Sequence, residues 1–126
     1  MKVTQLDHLV LTVRELQVSC DFYTRILGMQ LVEFAGGRKA LKFGAQKINL
    51  HEYHNEFEPK AALPTPGSAD LCFLTEAPVS EVAVHLERNQ VEIIEGPVER
   101  TGAEGAILSI YLRDPDGNLL EIANRL

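Results

Sequence analysis

Four side chains that can bind a metal ion stand at matching places in two similar stretches of the sequence. His8 and Asp70 lie near the start of the two stretches, and His51 and Glu121 lie near their ends, 43 and 51 residues later. Imidazole and carboxylate donors together suit a borderline divalent ion such as Ni, Zn, Mn, Co or Fe. Donors at corresponding positions of a repeated unit therefore predict a divalent metal site built from both repeats.

Each of these residues also has a simpler interpretation. Taken alone, His8 and His51 are more often half-buried histidines bonded to the backbone. Glu121 has only apolar neighbours in the sequence, and a buried carboxylate has to be paired or bound to metal. Asp70 could be a fourth ligand, an acceptor that orients a histidine ring, or a residue at a strand edge. The combination favours a metal site with His8, His51 and Glu121 and leaves the role of Asp70 open.

Two successive strand-helix-strand-strand-strand patterns must position these side chains, which predicts an α+β fold of two βαβββ modules. The predicted strands are 6–13, 29–34, 38–43, 47–53, 70–75, 91–99, 106–113 and 119–123, with helices at 13–28 and 79–89. Proline, glycine and charged residues without hydrophobic periodicity separate the two patterns. We interpret the chain as one domain, 1–126, with module one at about 5–54, a linker at about 55–68 and module two at about 69–124.

Alternation along the predicted strands assigns side chains to faces. One face of each sheet is uniformly apolar and suits the helices, whereas the other carries the four candidate ligands among further polar groups. Those further groups are Asn49, Tyr53, Ser109, Tyr111 and Arg113. Such a mixture predicts a pocket. Arg113 has two candidate roles, which are fixing the acidic turn at 114–118 or binding an anionic group of a substrate.

The bulk composition narrows the function classes. The net charge of −6 argues against nucleic-acid binding, which needs clustered Lys and Arg. No apolar run is long enough to span a bilayer, and the first residues lack the pattern of a secretory signal. Two cysteines, Cys20 and Cys72, form no CxxC pair and no disulfide framework. We therefore expect a cytoplasmic protein of 126 residues without a membrane partner.

Five motifs resemble the vicinal-oxygen-chelate superfamily, also called the glyoxalase/bleomycin-resistance/extradiol dioxygenase group. They are LDHLVLTV, DFYTRILGM, KINLHEY, GSADLCFL and RDPDGNLLEI, and together they span most of the chain. Within that group the sequence is similar to short, single-domain glyoxalase-like proteins of the virulence type. The resemblance implies paired βαβββ modules forming a cup-shaped mixed sheet, a divalent metal ion in the cup, and a homodimer.

The resemblance also implies roles for individual residues. His8, His51 and Glu121 match family ligand positions, and Asp70 stands where the family often has His. The implied chemistry is bidentate chelation of two neighbouring substrate oxygens to the metal ion. Glu121 would act as general base, with Tyr53, Tyr111 or Ser109 holding the developing oxyanion and Asn49 and Arg113 among the groups that bind the substrate.

Several functions fit this resemblance. The first is a metal-dependent glyoxalase-like enzyme that acts on a small α-oxo or diol substrate. The alternatives are an extradiol-type ring-cleaving dioxygenase, a thiol-transfer resistance enzyme, and a metal-free protein that sequesters a drug. The two histidines, His8 and His51, argue against the last of these, because a sequestering pocket has no need of metal ligands.

Overall fold

Two units with the same βαβββ order make up the fold, and each has one four-stranded mixed sheet and one helix. The computed structural model describes all 126 residues and divides them into Met1–Pro66 and Gly67–Leu126. In the first unit the elements are β1 (His8–Val13), α1 (Leu16–Arg25), β2 (Gln30–Phe34), β3 (Arg38–Phe43) and β4 (Gln46–Glu52). In the second they are β5 (Asp70–Leu74), α2 (Val79–Arg88), β6 (Glu95–Gly102), β7 (Gly105–Arg113) and β8 (Leu119–Arg125). The predicted α+β class and the repeated order are confirmed.

Both sheets share one topology. The strand orders are β1-β4-β3-β2 and β5-β8-β7-β6, and the only parallel pairs are β1 with β4 and β5 with β8. The first and last strands of each unit therefore lie side by side, although they are far apart in sequence. This pairing is what brings the early and late candidate residues of each unit onto neighbouring strands.

In the first unit, α1 packs against β2, β3 and β4. The helix contributes Tyr23, which is fully buried, and the sheet contributes Leu41 and Ile48, which are buried as completely. Gly28 follows the helix with φ at +67°, the left-handed conformation expected of a residue that ends a helix. The apolar face predicted from strand alternation is thus the face that the helix covers.

In the second unit, α2 packs against β7 and β8 through Leu86 and apolar side chains such as Ile110. Asn124 of β8 holds the start of the helix. Its side-chain oxygen accepts a hydrogen bond from the Val79 amide at 2.8 Å, and its nitrogen donates to the carbonyls of Thr75 and Ala77 at 2.9 and 2.8 Å. Because the residue before the helix is a proline, which has no capping side chain, Asn124 supplies the cap from the sheet. No helix of either unit is long and apolar enough to cross a membrane.

One strand lies elsewhere than predicted. A strand is predicted at 91–99, whereas β6 runs from Glu95 to Gly102. The apolar segment 91–94 contributes only one backbone bond to the sheet, from the Ile94 amide to the Tyr111 carbonyl at 2.8 Å. The strand is instead formed by mostly polar residues on the sheet edge, with an irregularity between Glu95 and Val98. Pairing with β7, and not the composition of the segment, determines which residues form this strand.

The turn between β7 and β8 is tied to the start of β5. The Asp114 carboxylate accepts hydrogen bonds from the amides of Asp116 and Asn118 and from the Asn118 side chain, at 2.7 to 3.0 Å. Asn118 in turn accepts a bond from the Ala69 amide at 2.9 Å. Gly67 comes so close to this turn that an added Cβ would lie 2.6 Å from the Asp116 carbonyl oxygen. The turn therefore fixes where β5 begins.

Candidate functional site

Register along β1 and β4 places three residue pairs of the first unit side by side. His8 lies level with Lys47, Val10 with Asn49, and Thr12 with His51, all on one face. Asn49 is thus the diagonal neighbour of His8, whereas His51 lies four positions farther along. At about 3.3 Å per residue, His8 and His51 are separated by roughly 13 Å along the strands. The structure brings His8 together with Asn49 and does not bring it together with His51.

The second unit repeats this arrangement along β5 and β8. Asp70 lies level with Leu119 and Cys72 lies level with Glu121, so Asp70 and Glu121 are diagonal neighbours on one face. Diagonal neighbours have Cα atoms about 7 to 8 Å apart, within reach of a common small ligand. By register, the counterpart of Glu121 in the first unit is therefore Asn49. The residue predicted to correspond to Glu121 is His51, which lies two residues farther along β4 than Asn49.

Glu121 is the centre of the polar face of the second unit. It is half-buried, and its Oε2 accepts a hydrogen bond from the hydroxyl of the fully buried Ser109. The thiol of Cys72 and the hydroxyl of Tyr111 also lie within hydrogen-bonding reach of the carboxylate. These groups line a groove of about 440 Å³ together with Arg100 and the β6–β7 hairpin. The carboxylate is thus oriented by neutral donors and accessible to a small molecule.

The neighbours of Glu121 stay protonated at neutral pH. Burial, the negative charge of Glu121 and a hydrogen bond to it raise the pKa of the Cys72 thiol to about 11. Burial and the proximity of Glu121 also raise the pKa of Tyr111, against the opposing effect of a bond from Arg100. Both side chains can therefore donate a proton to a hydrogen bond, and Cys72 is not an activated nucleophile.

Sequence reasoning missed Arg100. Its Nε donates to the Tyr111 hydroxyl oxygen at 3.2 Å, and its Nη2 donates to Glu95 at 3.1 Å. With its oxygen accepting from Arg100, the Tyr111 hydroxyl is free to direct its proton toward the groove or toward Glu121. The signal for this residue was absent from the sequence, because the strand that carries it was predicted to end at Glu99.

His8 and Asn49 form a corresponding polar pair in the first unit. The Nδ1 of His8 lies 2.8 Å from the carboxylate of Asp7, which leaves Nε2 as the ring nitrogen available for a ligand. The side-chain oxygen of Asn49 is buried and has no hydrogen-bond partner. An unsatisfied buried oxygen is costly, and an amide oxygen is a suitable ligand for a divalent ion. The residues present therefore fit a bound cation.

His51 lies in a separate pocket of about 390 Å³, formed by the face of β1 and β4 and by the segment that follows β4. The ring is 7% exposed and meets Phe57 edge-on, with centroids 5.7 Å apart. Burial, and next the positive charge of Arg38, lower the pKa of His51. The imidazole is therefore neutral at pH 7.

The remaining predicted site residues lie in different surroundings. Tyr53 follows the end of β4, is 38% exposed and stacks on His54, with ring centroids 3.8 Å apart. Arg113 donates to the Gly117 carbonyl at 3.1 Å, so it fixes the turn through the backbone. Asp70 is exposed at the start of β5. Within each unit by itself, no three His, Cys, Asp or Glu side chains gather closely enough to hold a metal ion.

Comparison with known families identifies the class of protein. Residues 5–122 match the Glyoxalase/Bleomycin resistance protein/Dioxygenase superfamily, and the chain belongs to that superfamily. The predicted membership is thereby confirmed.

Two relatives are more than half identical to the chain. Virulence protein STM3117 of Salmonella typhimurium is 57% identical over 123 residues, which cover 98% of this chain and 85% of that protein. Its crystal structure superposes with a TM-score of 0.98 and covers all of both chains. Glyoxalase domain-containing protein RDO1 of Mycosarcoma maydis is 54% identical over 98% of this chain and 70% of its own length.

A more distant structure shares the fold alone. It is that of a mutant of the fosfomycin resistance protein FosX from Listeria monocytogenes, in complex with Mn(II) and 1S,2S-dihydroxypropylphosphonic acid. This protein is 22% identical, with a TM-score of 0.67, and the match covers 96% of this chain and 90% of FosX.

Proposed function

We propose that the chain is a metal-dependent enzyme that acts on a small substrate with two neighbouring oxygen atoms. The observation that carries this proposal is the environment of Glu121. This carboxylate accepts a hydrogen bond from a buried hydroxyl and opens onto a groove. Metal ligands and general bases are typically oriented in this way. The Mn(II) complex of the distantly similar FosX is consistent with this use of the fold.

The proposed ligands are His8, Asp70 and Glu121, with the orphaned oxygen of Asn49 as a further donor. His51 is left out of this set because it lies roughly 13 Å from His8 along the strands. We propose that these donors act together in a homodimer, an assembly common in the superfamily to which the chain belongs. Nitrogen and carboxylate donors of this kind suit Ni, Zn, Mn, Co or Fe. When bound, such an ion supplies Lewis-acid stabilisation of negative charge on the substrate oxygens.

The chain's own residues supply the rest of the chemistry. Ser109 holds Oε2 of Glu121, and the remaining lone pairs of the carboxylate can bind the ion or accept a proton from the substrate. Tyr111 keeps its proton and can donate it to an oxygen on which negative charge develops. Arg100 orients the Tyr111 hydroxyl and carries a positive charge into the groove. Together these groups suit proton transfer next to a carbonyl or diol.

The metal content of purified protein tests the proposal directly. Protein purified without chelators is compared with Glu121→Gln and with the control Glu99→Gln, which changes an exposed carboxylate on β6. We expect near-stoichiometric Ni, Zn, Mn, Co or Fe in the wild type and the control, and loss of that metal in Glu121→Gln. Wild-type protein that holds no metal, even after reconstitution, would contradict the proposal and favour a metal-free binding protein.

The reaction class follows from assays chosen by the bound metal. We expect turnover of α-oxoaldehydes, alone or as thiol adducts, when Ni, Zn, Mn or Co is bound. Oxygen uptake with catechols in an Fe(II) protein would instead indicate ring cleavage, and a covalent thiol adduct would indicate a resistance enzyme. In each case the homodimer is the proposed working form.

A further inference from the structure

The pocket around His51 is formed by the first unit alone and has its own polar floor. Thr12 of β1 and His51 of β4 are register partners, so their side chains stand side by side on one face. Both line the pocket, and they are 8% and 7% exposed. The floor is therefore two polar side chains that are more than nine-tenths buried.

Both side chains are accessible from the pocket. The Thr12 hydroxyl and the His51 ring are not among the sealed, unpaired polar groups of the chain, and both residues line the pocket, so their polar atoms are open to it. Two accessible polar groups on adjacent strands, facing one cavity, can both bond to the same small ligand.

Charge around the pocket indicates the sign of that ligand. Lys60 lines the pocket, and the positive charges of Arg38 and Lys60 act on the His51 ring against the negative charge of Glu56. Lys60 is shared with two carboxylates at long distances, 3.4 Å to Glu56 and 3.6 Å to Glu58. An ammonium group has three N–H donors, so Lys60 can turn one toward the pocket without losing both contacts. The floor and the rim of the pocket thus offer hydrogen-bond donors to an anion.

The walls indicate that the ligand is organic. Val10, Pro59, Ala61 and Pro64 complete the lining, and all four have hydrocarbon side chains. We propose that this pocket binds the carboxylate of a small organic acid, held by the Thr12 hydroxyl, the His51 ring and the Lys60 ammonium group. The hydrocarbon part of the acid lies against the walls.

This assignment names the substrate class of the proposed enzyme, and to that extent it rests on the proposed function. Asn49 and His51 are on the same face of β4, two residues or roughly 7 Å apart. A substrate whose vicinal oxygens lie at Asn49 would place a group several bonds farther along its chain in the His51 pocket. The substrate is therefore an acid that carries its vicinal oxygens a few atoms from the carboxylate.

Binding to metal-free protein tests the pocket without involving the reaction. Butyrate and its neutral isostere butyramide are titrated into chelator-treated protein and followed by calorimetry and by backbone NMR shifts. We expect saturable binding of butyrate, at least tenfold tighter than that of butyramide, with shifts clustered at the pocket residues. Equal binding of the two compounds, or no saturable binding of butyrate, would overturn the proposal.

Substitutions in the pocket make the test specific. Thr12→Val keeps the shape and removes the hydroxyl, and Lys60→Met removes the charge. We expect each to weaken butyrate binding about tenfold, which corresponds to about 1.4 kcal/mol. The matched controls are Thr24→Val on α1 and Lys47→Gln, whose ammonium lies over Phe34, and these should bind as the wild type does. Unchanged binding in both pocket variants would overturn the assignment, even if the comparison of butyrate with butyramide succeeds.

The two proposals fail separately. Glu121→Gln should lose the metal but still bind butyrate, because Glu121 does not line this pocket. Loss of butyrate binding with the metal retained would overturn the pocket and leave the metal site standing. Absence of metal with butyrate bound would overturn the proposed function and leave the pocket standing.

Discussion

The candidate site is best understood from two side chains at equivalent positions of the two units, Asn49 and Glu121. Glu121 could be identified from sequence, because a carboxylate among apolar neighbours needs a partner. Asn49 was found only as a general substrate-binding candidate, since its equivalence to Glu121 depends on the register of a parallel strand pair. The sequence does not specify that register. The position that Asn49 occupies was therefore assigned to His51, two residues farther along β4. Arg100 was missed for a related reason, because only its pairing with β7 makes it part of a strand.

The hydroxyl of Ser109 should matter for metal affinity without touching the metal. Ser109→Ala removes the hydrogen bond that orients Glu121 while leaving the carboxylate in place. Groups that orient metal ligands typically contribute 10- to 100-fold in affinity, so we expect a loss of about that size. Competition with a fluorescent chelator measures it, with the exposed Ser80→Ala of α2 as control. An affinity equal to that of the wild type would show that Glu121 does not bind the ion.

The depressed pKa of His51 predicts how stability depends on pH. A histidine in the unfolded chain has a pKa of about 6.5, and burial keeps the folded value lower. As the pH falls below about 6.5, the unfolded chain takes up a proton that the folded chain does not, so the free energy of unfolding falls. The stabilising contribution is complete above that pH and is lost in acid.

His51→Gln should remove this part of the pH dependence. We expect the wild type to lose more stability than His51→Gln between about pH 7.5 and pH 5.5, measured by urea unfolding of metal-free protein in carboxylate-free buffers. His85→Gln, at an exposed position on α2, controls for loss of a histidine as such. Identical pH profiles for wild type and His51→Gln would contradict the prediction.

At the scale of elements, local patterns predicted most of the architecture. Hydrophobic periodicity placed both helices, and β-branched runs placed β1, β3 and β4 to within two residues. The exception, β6, lies at a sheet edge, where one partner strand decides which residues pair. Alternation also assigned the faces correctly, because the period of two belongs to every strand whatever its neighbours. What the elements do not specify locally is which strands lie side by side.

Gly67 offers a test of how tightly the β7–β8 turn is joined to the start of β5. Gly67 and Gly36 have similar left-handed backbones, with φ at +82° and +79°. An added Cβ would meet the Asp116 carbonyl at 2.6 Å in Gly67→Ala but would meet nothing within 4 Å in Gly36→Ala. Backbone strain of about 1 kcal/mol is common to both variants. Any further loss of folding stability in Gly67→Ala therefore measures the clash.

We expect Gly67→Ala to be destabilised by about 3 kcal/mol and Gly36→Ala by about 1 kcal/mol. Urea unfolding followed by circular dichroism measures both. Since Asp70 lies three residues after Gly67, the first variant should also weaken metal binding, whereas the second should not. Equal losses of stability in the two variants would show that the turn is free to move away from Gly67.

At the scale of the whole molecule, the faces that carry the candidate ligands also expose apolar side chains. Val10 shares the face of His8 and is 47% exposed, and Leu74 shares the face of Asp70 and Cys72 and is 49% exposed. A face that mixes ligands with accessible hydrocarbon suits both substrate binding and subunit contact. This exposure is the structural support for the proposed homodimer.

Leu74→Asp should weaken that dimer. We expect wild-type protein to sediment as a dimer and Leu74→Asp to shift toward the monomer, because a charge would be buried at the contact. Leu63→Asp is the matched control, since Leu63 is 86% exposed in the irregular segment that follows β4 and should leave the dimer intact. A monomeric wild type, measured by sedimentation velocity, would contradict the prediction.

The position of β8 within its sheet has a consequence for synthesis on the ribosome. β8 is made after β5, β6 and β7, yet it lies between β5 and β7. In a nascent chain that ends before residue 119, β5 and one edge of β7 have no partner strand within the unit. The first unit is complete in sequence by residue 66, when the second has yet to emerge. The nascent second unit thus remains exposed to aggregation until its last strand arrives, and that strand brings Glu121 with it.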